Sequence, residues 1–116
     1  MKTYTGGCHC GAVQFKADAD IEAAMACNCS HCAQKGFLLA FIPATQFHLT
    51  AGEDNLTEYR FNKKHIAHLF CKTCGVQSFG RGTDKEGNAT IALNVRCLND
   101  FDIDTLTINK VNGKDF

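Results

Sequence analysis

The stretch "GGCHCGAVQFKA", residues 6–17, joins two signals whose combination decides the fold. Its first half sets Cys8 and Cys10 among Gly6, Gly7 and Gly11. In a regular strand the two cysteines would share a face, but the glycines point to a tight turn whose backbone N–H groups aim at sulfur. Gly11 there takes the positive φ that such a turn needs. The second half, "AVQFKA", puts Val13 and Phe15 on one face and Gln14 and Lys16 on the other, the period of a half-buried strand. An apolar strand beside a cysteine turn returns at "FCKTCG", residues 70–75, with Cys71, Cys74 and Gly75. Sixty residues, 11 to 70, separate the two pairs. Four thiolates brought from two distant turns make a closed tetrahedral Zn²⁺ site of the structural kind. A thioredoxin-like redox pair at Cys71 and Cys74 competes with this reading but lacks a βαβ context.

Outward from these turns the chain reads as short strands. "FLLAFI", residues 37–42, is expected to be a strand buried on both faces and ending at Pro43. "FHLT" and "LTEYRF" flank "AGEDN", which predicts a hairpin with its turn near Gly52. "NATIALNVRC", residues 88–97, alternates Ala89, Ile91, Leu93 and Val95 with Asn88, Thr90, Asn94 and Arg96, and carries Cys97 on the inward face. One helical turn is predicted near residue 30, capped by Asn28 or Ser30 and ended by Gly36 in the left-handed conformation. The expected class is mostly β: short antiparallel strands, zinc-stapled, with one short helical turn, in a single domain over residues 1–116.

The bulk composition excludes several functions. Twelve basic and 12 acidic residues give a formal net charge of zero with no long run of either sign, which argues against nucleic acid as a partner. The longest apolar run falls far short of the roughly 20 residues that span a bilayer. The segment "MKTYTGGCHC" has no apolar signal region, so the expected location is cytoplasmic. Eight cysteines in a reducing compartment read as metal-binding or catalytic rather than as a disulfide framework.

"MACNCSHCAQKG", residues 25–36, supplies the second constellation, Cys27, Cys29 and Cys32 within six positions. On a helical turn starting near Ser30, Cys29 and Cys32 share a face, and Cys27 reaches back from extended chain. Three protein ligands with an open position is the arrangement of a catalytic zinc. Zn²⁺ with three thiolates already carries a net charge of minus one, so it is a poor generator of hydroxide and suits a soft fourth ligand such as a substrate thiolate. Cys97 is the candidate fourth protein ligand, with a small core residue as the competing reading. His9, His31, His48, His65 and His68 read as surface residues or as neighbours of ligands, and Lys35 and Arg96 as charges available to offset the thiolates.

"GGCHCGAVQF", "CNCSHCAQKG", "HLFCKTCGVQSFGRG" and "LNVRCL" together resemble, in order and spacing over roughly residues 4 to 98, the glutathione-dependent formaldehyde-activating enzyme family, also named after centromere protein V. The resemblance implies a mostly-β "tent" with two zinc sites. By it, Cys8, Cys10, Cys71 and Cys74 are structural ligands, and Cys27, Cys29 and Cys32 hold the catalytic zinc. The family's named reaction joins glutathione and formaldehyde to S-hydroxymethylglutathione, in the carbon–sulfur lyase class. Cys97 and the short C-terminal part are features of the small, uncharacterised branch, and the basic N-terminal region of the centromeric relatives is absent. The expected function is therefore zinc-dependent carbon–sulfur chemistry on an adduct of glutathione or another thiol with a small carbonyl compound. A non-catalytic zinc module and a thiol redox sensor are the alternatives. A zinc nucleobase deaminase is set aside because its H-x-E and P-C-x-x-C signature is missing.

Overall fold

A computed structural model describes residues 1–27, 30–60 and 66–111. Two sheets face each other. The smaller is antiparallel, in the order β1 (Lys2–Gly7), β2 (Gln14–Ala19), β5 (Phe47–Ala51). The larger has seven strands in the order β10 (Thr107–Val111), β3 (Ala23–Cys27), β4 (Leu39–Pro43), β9 (Ala89–Asn94), β8 (Phe79–Thr83), β7 (Ala67–Cys71), β6 (Leu56–Tyr59). Pairing is antiparallel except between β10 and β3, which run parallel. The mostly-β expectation holds, and the helical turn is present as α1 (Ser30–Lys35), ended by Gly36 at φ +70°. Asn28, one of its two proposed caps, lies outside the described residues.

The alternation in "AVQFKA" explains the core. Phe15, Ala17 and Ala19 of β2 are buried against Ala40 and Ile42 of β4, Ile91 and Leu93 of β9, and Phe79 of β8. Phe47 stacks on Phe15 with ring centroids 5.4 Å apart and on Phe79 at 4.6 Å, so one aromatic column ties the two sheets together.

Three local expectations are corrected. "FHLT" and "LTEYRF" do not form a hairpin: β5 pairs with β2 in the small sheet and β6 with β7 in the large one. Gly52 makes the division. It takes φ +93°, and a Cβ there would lie 2.3 Å from the Ala12 carbonyl oxygen, so only glycine lets the chain pass the cysteine turn and change sheets. "NATIALNVRC" is not one strand to Cys97. It stops at Asn94, whose side-chain oxygen accepts from Arg96 N at 3.2 Å and whose Nδ2 donates to the Gln77 carbonyl at 2.9 Å, opening a 3-10 turn over Val95–Cys97. "FLLAFI" is buried on both faces through Phe37, Leu38, Leu39 and Ala40, and departs from the expectation only at Phe41, which is 52% exposed on the outer face of the large sheet.

Candidate metal centres and the outer sheet face

The first centre is built by two similar turns. After β1, Cys8 N donates to the Val13 carbonyl at 3.0 Å and Val13 N returns a bond to Cys8 Sγ at 3.3 Å. After β7, Thr73 N and Cys74 N point at Cys71 Sγ at 3.3 and 3.5 Å, and Asn55 Nδ2 adds a third donor at 3.3 Å. Gly11 at φ +82° and Gly75 at +81° close the two turns as expected. The result brings Cys8, Cys10, Cys71 and Cys74 together with all four sulfurs within 4.8 Å of one another. Cys10 Sγ stands 3.6 Å from both Cys8 Sγ and Cys71 Sγ. A tetrahedron with metal–sulfur arms near 2.3 Å separates its sulfurs by about 3.8 Å, so the cluster has the size and donor set to hold a metal ion.

Charge falls unevenly within this cluster. The N–H of Cys74 and, against burial, that of Thr73, with the Cys10 and Cys8 thiols, pull Cys71 down to about 6. Cys74 is also lowered, by the backbone N–H groups of Val76 and Cys10. Cys10 has the Ala12 N–H in its favour, yet burial and the thiols of Cys71, Cys8 and Cys74 push it up to about 11. One sulfur is thus poised as thiolate before metal arrives, and another gives up its proton on binding.

Of the second constellation, Cys27 and Cys32 lie on the outer face of the large sheet. Cys27 ends β3 and Cys32 is buried in α1; both pack with Phe37, Leu39, Met25 and Ala92 in a cluster separate from the first centre. Cys29 falls outside the described residues. Among the described residues, Cys8, Cys10, Cys71 and Cys74 form the only group of three or more with ligand atoms so close together, so Cys27, Cys32 and Cys97 do not form one. Cys97 instead packs against the main core, with its Sγ 3.8 Å from the Gln77 carbonyl oxygen. Burial raises its thiol, Ser78 opposes the rise, and the nearby Cys8 and Cys74 reinforce it. The charges singled out earlier both sit by α1: Arg96 Nε donates to the Gly36 carbonyl at 3.0 Å, and Lys35 Nζ stands 5.3 Å over the Phe70 ring.

Register brings further side chains to this face. Tyr59 pairs with His68, His68 with Gly80, Gly80 with Ala92 and Ala92 with Phe41, one row across five strands. The His31 ring lies 4.2 Å from that of His68 and 5.6 Å from those of Tyr59 and Phe37. Burial, then the charges of His31 and Lys35, lower His68 to about 4; burial and Lys35 lower His31 as well. His68 is thus neutral at pH 7. Gln77 Nε2 lies 3.4 Å from His68 Nδ1; with the amide donating, the neutral ring carries its hydrogen on Nε2. The grouping of His68 with Tyr59 and Gln77 escaped the sequence reading, although "AHLFC" alternates and so sets His68 opposite to Leu69. The other histidines are apart: His9 is exposed, His48 lies 3.7 Å from an Asp18 carboxylate oxygen, and His65 is outside the described residues. Among the described residues, no helix is long and apolar enough to cross a membrane.

The family model described as glutathione-dependent formaldehyde-activating enzyme matches residues 3–108. A crystal structure of a Rhodobacter sphaeroides protein, a structural-genomics target, matches with a TM-score of 0.78 and 26% sequence identity over 90% of this chain and 99% of that one.

Proposed function

The chain belongs to the glutathione-dependent formaldehyde-activating enzyme family, and from that premise we propose that it catalyses carbon–sulfur bond formation or cleavage in the adduct of a small thiol, such as glutathione, with a carbonyl compound such as formaldehyde. In the synthetic direction a thiolate attacks the carbonyl carbon. The C–S bond forms as the C=O π bond opens, and the resulting alkoxide takes a proton; cleavage is the reverse, with no redox change. Zn²⁺ held by Cys27, Cys29 and Cys32 would keep the substrate thiol ionised at neutral pH, while Cys8, Cys10, Cys71 and Cys74 would hold a structural Zn²⁺. His31 and His68, whose rings lie 4.2 Å apart on the same sheet face, would supply N–H groups to that oxygen as it gains charge. In this reading the whole of residues 1–116 is one zinc-binding domain acting in the reducing cytoplasm, and neither nucleic acid nor membrane is a partner.

The observation that carries the proposal is the packing of Cys27 and Cys32 in one apolar cluster on the outer sheet face, with Cys97 directed elsewhere. That arrangement supports a centre left open for a substrate ligand. The test is the visible spectrum of Co²⁺-substituted protein. Glutathione is expected to shift the ligand-field and sulfur-to-metal bands in proportion to one site per chain. If neither glutathione nor any other cellular thiol moves them, the proposal fails.

A further inference from the structure

Beside the second cysteine constellation the outer face opens into a groove of about 250 Å³, lined by Phe41, Ile66, Gly82, Thr90 and Ala92, with Thr83 and Asp84 at its end. Glycines make the trough. Gly80 pairs with Ala92 and Gly82 with Thr90, so β8 sends no side chain into the space between Phe41 of β4 and Ile66. Those two walls are large apolar side chains left 52% and 44% exposed. The polar groups at the lip are already engaged: Asp84 Oδ1 accepts from Glu86 N and Asn88 N, both at 2.9 Å, and Thr90 Oγ1 donates to the Asn88 carbonyl at 3.2 Å. The groove therefore offers apolar contact and little to a charged ligand.

Its position matters as much as its lining. Ala92 lines the groove and also packs against Cys32, Phe37 and Leu39. Leu39 and Phe41 project from the same face of β4 two residues apart, Met25 pairs with Leu39, and Cys27 follows on β3. The groove and the cysteine cluster thus share Ala92 and lie on one apolar stretch of the same sheet face.

We infer that the groove seats the carbon skeleton of the carbonyl partner, so that this enzyme's substrate is a thiol adduct bearing an apolar alkyl or aryl group rather than formaldehyde, which has no carbon beyond the one that reacts. This rests on the thiol–carbonyl reading above, and its test separates the two. Binding of S-benzylglutathione and S-methylglutathione to zinc-loaded protein is compared by calorimetry, with amide shifts mapped by NMR; a thioether sulfur is a weak ligand, so the pair isolates the groove. The benzyl conjugate is expected to bind about tenfold more tightly, the order that a few buried carbons supply. Amides of Phe41, Thr90 and Ala92 should shift. Ala92→Leu, which fills the trough, and Phe41→Ala, which removes a wall from an exposed position, should each abolish the preference. Equal binding of the two conjugates, or none of either, overturns the inference whatever the cobalt spectrum shows. A benzyl preference without any thiol effect on cobalt would leave the apolar site standing and remove the thiol chemistry. Self-association that Phe41→Asp abolishes, with no conjugate preference, would assign the groove to a second copy of the chain and also overturn it.

Discussion

At the four-cysteine centre, sulfurs from two turns sixty residues apart meet under five described N–H···S and S···S contacts of 3.3 to 3.6 Å among Cys8, Cys10, Cys71 and the backbone N–H groups of Val13, Thr73 and Cys74. On the outer sheet face, Cys27 and Cys32 come from one short segment and are surrounded instead by apolar side chains, imidazoles and an open groove. The first arrangement holds together two chain segments that are far apart in sequence. The second draws Cys27 and Cys32 from one segment, and under the proposed function a substrate ligand joins them. The comparison teaches that cysteine count alone does not divide structural from reactive sites; what the sulfurs connect, and what faces them, does.

The largest expected effect follows from that difference. Cys71→Ser removes the sulfur that accepts from Thr73 N, Cys74 N and Asn55 Nδ2, and should cost several kcal/mol, on the order of half the roughly 10 kcal/mol that structural zinc contributes in small metal-folded domains. Cys32→Ser should lose one zinc per chain and keep most of the stability. Thermal melts with metal analysis on both variants check this. Equal destabilisation by the two substitutions would break the comparison.

That contrast was partly legible in the sequence. "GGCHCG" and "FCKTCG" announced their turns because glycine at positive φ and the C-x-x-C spacing are local signals, and the alternation in "AVQFKA" placed β2 correctly. What failed was long-range. Nothing local in "FHLTAGEDNLTEYRF" says that its two strands join different sheets, because the decision lies in the fit of Gly52 against Ala12. The apolar run "FLLAFI" hid an exposed Phe41, since hydrophobicity does not distinguish a core position from an exposed one. The row from Tyr59 through His68, Gly80 and Ala92 to Phe41 exists only through strand register, which pairing across five strands sets.

A smaller effect sharpens the description of the outer face. His68 is held down to about 4, mainly by burial, below the 6.5 it would have in the unfolded chain. Between those values the unfolded state binds a proton that the native state does not. The native state therefore loses stability as pH falls from about 6.5 toward 4, by about 2 kcal/mol after allowance for solvent screening. Denaturant titrations of the wild type and His68→Gln across that window should converge as pH falls, because the acid sensitivity of the thiolates is common to both. Parallel curves would mean that His68 is not buried as a neutral ring.

The smallest effect tests the boundary between the two regions. Cys97 sits in the core, its sulfur toward the Gln77 carbonyl and its charge neighbours in the four-cysteine cluster. Gln77 is the residue between them, since its amide reaches His68 and its carbonyl accepts from both Asn94 and Cys97. If Cys97 is a packing residue, Cys97→Ala removes one sulfur from a partly buried site at about 1 kcal/mol and leaves two zincs per chain. If instead the variant holds one zinc, Cys97 reaches a metal that its position beside Gln77 does not suggest. The fourth place at Cys27, Cys29 and Cys32 would then be filled by the protein, and the second centre would be a staple like the first. Metal content of the variant, measured under reducing conditions, decides between an outer face built to bind and one built only to hold.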